Sequence, residues 1–149
     1  MAAILWAMLG VVAGVCIAVQ APVNAQLSRS LGMPVAAAMV SFVVGSILLT
    51  ILTLAYSKVE GTVPQWRSPS PWLYVVGGCL GSIYITTVIL LTPRIGTTAV
   101  MALTLAGQMT AGLVIDRIGF MGLTVRELSA GRIAGALLLI AGVFLIRKY

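Results

Sequence analysis

The chain has 149 residues, of which nine are Lys or Arg, three are Asp or Glu and none is His, for a net charge of +6. Hydrophobic residues make up 60% of it and its mean hydropathy is +1.13, whereas a soluble domain is about 45–50% apolar and about 25% charged. Twelve charges cannot cover the water-facing surface of a compact domain of this size, which excludes a soluble fold, and never more than two basic residues are adjacent, which excludes a nucleic-acid patch.

The charge-free intervals set the architecture. No charge falls in 1–28, 30–57, 68–93 or 95–115, and a fifth apolar run, Ile133 to Ile146, follows Arg132. A membrane-crossing helix needs about 20 mostly apolar residues. The sequence therefore predicts an all-α polytopic membrane protein, with the whole of 1–149 as one transmembrane domain. Its spans fall at about 3–24, 34–56, 71–92, 96–116 and 129–147. Barrel-type alternation is absent, and helices are the other way to satisfy the backbone in lipid. The remaining loops are too short to hold a soluble domain.

In the first span, Val23-Asn24-Ala25 has the look of a signal-peptide cleavage site. The stretch before it lacks a positive n-region and four more spans follow, so the segment is read as a retained helix. Gln20 and Asn24 stand at i and i+4, with Pro22 between them releasing the Ala18 carbonyl from its helix bond. Two readings stand for them: substrate contacts on a kinked or broken helix, or caps at a plain helix end. Leu31-Gly32-Met33-Pro34 reads as a tight turn, with Gly closing one helix and Pro opening the next.

The second span carries Ser41 and Ser46, and the third Tyr84, Thr86 and Thr87. Between them lies the longest polar stretch, 57–71, with Trp66 and Trp72 as interface anchors. Single Ser and Thr residues in membrane helices bond back to their own carbonyls, so Tyr84 stands out among these. Thr92-Pro93-Arg94-Ile95-Gly96 reads as a second Pro/Gly turn. On the fourth span Thr104, Gln108, Gly112 and Asp116 repeat every four residues along one face. Gln108 is near mid-span, so it faces the bundle or a cavity; Asp116 is at the boundary and can pair with Arg117 or Arg132. Gly119 to Gly122 is apolar enough to lie in the interface. The fifth span is the shortest; Arg132, a turn inside it, can snorkel, and Arg147-Lys148-Tyr149 forms a basic, aromatic stop.

Gly10 and Gly14, Gly77 and Gly81, and Gly131 and Gly135 each have GxxxG spacing, which predicts close helix packing. Cys16 and Cys79 fall inside spans and read as small apolar residues, with no disulfide or metal role. Without His, a serine triad and most zinc chemistry are excluded. The basic residues divide almost evenly between the two membrane faces: Lys58, Arg67, Arg117, Arg126 and Arg132 on one, Arg29, Arg94, Arg147 and Lys148 on the other. Orientation is set by such asymmetry. The near balance leaves three readings open: dual insertion, a partner that fixes the orientation, or chance in a loop-poor chain.

Several segments in order carry a resemblance: Gln20-Ala-Pro-Val-Asn24, Leu31-Gly-Met-Pro34, Ser41-Phe42-x-x-Gly45, Gly77-Gly78-x-x-Gly81, Pro93-Arg94-x-Gly96, Gly107-Gln108, Ile115-Asp116-x-x-Gly119, and Arg132-x-x-Gly135 ahead of Ala141-Gly142-Val143. Over essentially the whole chain they resemble the YdcZ-type family of the drug/metabolite transporter superfamily. That resemblance implies a bacterial inner-membrane transporter, half the length of the ten-helix EamA-type relatives, which look like two five-helix repeats of opposite topology. It supplies no substrate. The first-helix glutamate of the four-helix small multidrug resistance family has no counterpart here.

No charged residue occupies the middle of any span. A carboxamide-lined interior suits neutral or zwitterionic solutes. The expected function is small-solute transport by alternating access, without cofactor and without enzymatic activity; the rival reading is an accessory membrane subunit. The expected substrate contacts are Gln20, Asn24, Tyr84 and Gln108, with Asp116 the one group placed for ion coupling. A polar seam half-enclosed by five helices calls for a second copy. Inverted repeats in transporters favour an antiparallel homodimer, or a heterodimer with a paralogue.

Overall fold

A computed structural model describes residues 2–148; Tyr149 of the expected aromatic stop lies outside them, as does the side chain of Arg147. The described residues form five α-helices: α1 (Ala2–Leu31), α2 (Pro34–Glu60), α3 (Pro71–Ile95), α4 (Thr97–Ile118) and α5 (Ala130–Lys148). A 3-10 turn, Phe120–Gly122, follows α4, and no strand occurs among the described residues. Helices α1 to α4 are each long and apolar enough to cross a membrane, and the apolar part of α5, Ala130–Ile146, is shorter. The protein is thus all-helical and polytopic. The chain divides into two compact units, with the boundary between Arg94 and Ile95.

In the first unit α1 and α2 are joined by the Gly32-Met33 turn. Gly32 has φ +69°, a left-handed conformation that ends α1 at little cost only for glycine, and Pro34 opens α2. The expected turn is therefore present. The expected helix end near Asn24 is not: α1 runs unbroken through Pro22 to Leu31. Likewise α3 runs through Pro93 to Ile95, so the second Pro/Gly turn contracts to Gly96. A proline removes one helix bond, but in an apolar medium the backbone has no better alternative than the surrounding helix.

The helices of this unit meet through small and branched side chains. Ala21, Asn24 and Ala25 are buried on α1, Ala37 and Ala38 on α2, and Ile85, Val88 and Ile89 on α3. Ala37, Ala38, Ile85 and Ile89 form one cluster, against which Leu27 packs. The loop before α3 is tied down where the Tyr74 hydroxyl donates to the Trp66 carbonyl at 2.6 Å.

The second unit is the α4–α5 pair with its connection. Ala136 and Val143 are buried one above the other on α5, and Arg132 lies a turn before them on the same face. The Ser129 hydroxyl accepts the Arg132 N–H at 3.3 Å and so caps the start of α5. Gly119 ends α4 with φ +63°, and its N–H closes on the Ile115 carbonyl.

The GxxxG expectation is corrected within the chain. A Cβ at Gly10, Gly14, Gly77, Gly131 or Gly135 would meet nothing within 4 Å; of the six, only Gly81 makes a close approach, to the Phe42 ring. On α5 the buried face runs through Ala136 and Val143, which turns Gly131 and Gly135 outward.

A Cβ at Gly119 would lie 2.7 Å from Val125 Cγ2 and 3.1 Å from the Leu123 carbonyl oxygen. Gly119→Ala should therefore destabilise the protein by at least the roughly 1–2 kcal/mol of a left-handed alanine, and Gly10→Ala should not. Thermal unfolding of the purified protein in detergent distinguishes them; equal melting temperatures for the two variants would contradict the account.

Candidate functional site

Four polar side chains of the first three helices gather round one cavity. It has a volume of about 360 Å³ and takes Gln20 from α1, Ser41 and Ser46 from α2, and Tyr84 from α3. Its apolar walls are Ile17, Phe42, Leu49 and Ile85. No charged residue lines it. Two of the sequence-predicted residues, Gln20 and Tyr84, thus meet although 64 positions separate them in sequence (84 − 20).

Asn24 lies one hydrogen bond behind this wall. Its side chain is only 3% exposed, and the Ser41 hydroxyl donates to Asn24 Oδ1 at 2.6 Å. Two oxygens this close need a proton between them, and the carboxamide oxygen carries none, so Ser41 is the donor. Asn24 Nδ2 is buried with no hydrogen-bond partner. Helix α1 continues past both carboxamides, which removes the reading of Gln20 and Asn24 as helix-end caps. Val23 to Ala25, the cleavage-like triplet, is mid-helix, with Asn24 and Ala25 buried.

Ser41 is a cavity-lining residue that the sequence does not single out. Six membrane threonines bond back to their own helix as expected: Thr50 to Ser46, Thr53 to Leu49, Thr87 to Ile83, Thr92 to Val88, Thr104 to Met101 and Thr110 to Ala106. Ser41 instead reaches a neighbouring helix. Nothing in its local sequence separates it from the others; only the i, i+4 pairing of Gln20 with Asn24 hints that α1 offers a polar face to receive it.

The other two expected residues belong to the second unit. Thr104, Gly112 and Asp116 are half-buried along one face of α4, whereas Gln108 is exposed. The sequence has Gln108 facing the bundle or a cavity; on α4 its side chain is exposed, as that of Gln20 is on α1. Asp116 pairs with Arg132, the second of its two expected partners, and both side chains are about one-third exposed (32% and 33%). Arg132 also donates to the Glu127 carbonyl at 3.4 Å, and the Asp116 carbonyl accepts the Arg126 N–H at 2.9 Å. These contacts hold the connection between α4 and α5 against the helix ends. Among the described residues no cluster of metal-ligating side chains exists, and Cys16 and Cys79 are free thiols.

The family described as "Putative inner membrane exporter, YdcZ" matches residues 5–145. The chain belongs to the YdcZ family. It is similar to the inner membrane protein YdcZ of Escherichia coli (strain K12), 25% identical over 138 residues, 93% of this chain and 91% of that protein. No solved structure matches it. Membership of the YdcZ family, with several apolar helices, makes this chain a multi-pass protein of the bacterial inner membrane and a membrane transporter in the general sense. It also points away from an enzyme.

Removing the Ser41 hydroxyl leaves both ends of a buried carboxamide without a partner, which costs about 1–3 kcal/mol. Ser41→Ala should lower stability by that amount, while Ser46→Ala should have an effect under about 0.5 kcal/mol, typical of a position away from such a network. Reversible unfolding in mixed micelles measures both, and equal losses would mean that the Ser41–Asn24 bond contributes nothing.

Proposed function

We propose that this protein moves small neutral or zwitterionic solutes across the inner membrane by alternating access, with the whole chain acting as one transport domain. The observation that carries the reading is the cavity lined by Gln20, Ser41 and Tyr84 without a single charge. Intramembrane polar groups are costly and mark a pathway by default. A carboxamide and a phenol can each donate and accept, so they hold neutral polar groups; with no fixed charge nearby, a net-charged solute would enter uncompensated. Asn24 serves the same site through Ser41. Gln108, exposed on α4, is a further solute contact offered by the second unit.

Asp116 is the one acidic group in position to couple an ion to transport. Its pairing with Arg132 means that any such step has to exchange the guanidinium for the proton or cation. Asp116→Asn should then abolish the pH dependence of flux, and an unchanged pH profile would leave Asp116 as a structural partner only.

The working unit is an antiparallel homodimer, or a heterodimer with a paralogue of opposite bias. Three observations support this. The basic residues divide five to four between the faces. Residues 2–17 of α1 are exposed on every side, and Gly10 and Gly14 lie open within that stretch. Close helix approach in lipid uses such small residues.

Reconstituted flux tests the function. In proteoliposomes, a panel of neutral, zwitterionic, cationic and anionic metabolites should give flux for members of the first two classes. Gln20→Leu should reduce it by roughly five- to tenfold, the equivalent of one hydrogen bond. Flux for none of the panel would favour the accessory-subunit reading. For the dimer, one new Cys beside Tyr149, in a background lacking Cys16 and Cys79, should be labelled by an impermeant thiol reagent in comparable fractions from both faces. One-sided labelling of a protein active without a partner would exclude the antiparallel homodimer.

A further inference from the structure

A second cavity lies beside the first, still within the first unit. Its volume is about 470 Å³, and its walls include Met39, Val43 and Ile47 of α2 and Ser82 and Thr86 of α3. The two cavities share Phe42 and Ser46 and no other lining residue. Helical spacing explains the arrangement. On α3, Gly81, Tyr84 and Ile85 face one cavity while Ser82 and Thr86, one position round the helix, face the other. On α2, Phe42 and Ser46 stand a turn apart on the line between the two.

Of the two shared residues, serine is too short to span to α3, whereas the Phe42 ring reaches it. Its Cζ lies 3.1 Å, and its Cε1 3.4 Å, from where a Cβ of Gly81 would be. The tip of the ring therefore rests on the α3 backbone, and a residue without a side chain at 81 is what lets it reach. With a cavity on either side and 40% of its surface exposed, the ring has room to swing about χ1.

We propose that Phe42, seated on Gly81, is the residue that sets the size of the solute. It confines the solute to the carboxamide-lined cavity, and moving the ring joins that cavity to the hydroxyl-bearing one. The inference rests on the reading of the first cavity as the solute site. It adds a specificity determinant that is apolar and lies on α2, apart from the hydrogen-bonding groups.

Two measurements on the full chain in lipid nanodiscs test it. The first is equilibrium binding of neutral primary amides from butanamide to decanamide, corrected for empty discs. Affinity should rise with chain length to a cut-off and then fall about tenfold, as expected where a wall rejects added methylenes. Phe42→Ala should move the cut-off to longer amides, Phe42→Leu by less, and Phe42→Trp should move it to shorter ones. The second needs no solute. Gly45→Cys in the first cavity and Ser82→Cys in the second, in a background lacking Cys16 and Cys79, are offered a short bis-methanethiosulfonate linker. Bridging should be about tenfold faster when Phe42→Ala is added, as for removal of a steric barrier worth that factor.

A cut-off that does not move in Phe42→Ala overturns the proposal and leaves the solute site standing. Equal bridging rates with and without the ring overturn it too. Faster bridging without saturable binding of any amide removes the solute reading of the cavity, and the size-setting role with it. A shifted cut-off together with faster bridging supports both.

Discussion

A peptide group without a hydrogen bond in hydrocarbon costs several kcal/mol, and a side-chain amide in the same position costs about as much. Water satisfies such groups in a soluble protein; here four stretches of more than 20 residues each run without a charge to hold water near them. The backbone answers by staying helical even through Pro22 and Pro93. The side chains answer by bonding to carbonyls of their own helix, as six threonines do, or by turning toward one another, as Ser41 and Asn24 do. Gln20, Ser46 and Tyr84 do neither, and they line one cavity.

This constraint also explains why the site lacks charge. A fixed ion at mid-membrane needs a partner of opposite sign, and the nine basic residues outnumber the acidic ones three to one. The one acidic side chain on a helix of the second unit near its end, Asp116, is taken by Arg132. What remains for the proposed recognition is the hydrogen-bonding capacity of Gln20, Ser41, Tyr84 and Asn24, and the shape of an apolar wall. In the proposed function, polar groups orient the solute and the Phe42 ring limits it.

The helices were legible because charge interrupts the sequence where water begins. The Gly32 turn was legible because only glycine takes its backbone conformation cheaply. The length of α1 was not, because a proline rule learned from water-soluble helices ends a helix that lipid keeps whole. Within the site, Gln20 and Tyr84 stood out as costly groups in apolar runs. Ser41 did not, since its partner is 17 residues away on another helix and a serine that back-bonds looks the same in sequence. The GxxxG spacings marked small residues correctly but not their partners: Gly81 serves an aromatic ring, and a Cβ at the other five would meet nothing within 4 Å.

The central claim is that Gln20, Ser41 and Tyr84 line a water-accessible cavity within the membrane. Alkylation of single cysteines by a small, charged, membrane-impermeant reagent tests it most directly. Gln20→Cys on the cavity wall and Val12→Cys on the open side of α1 would be compared in a background lacking Cys16 and Cys79. The account predicts that the thiol at position 20 reacts at a rate near that of a cysteine in the exposed 61–70 loop, and that the thiol at position 12 does not react. Equal, negligible labelling at both positions would contradict it.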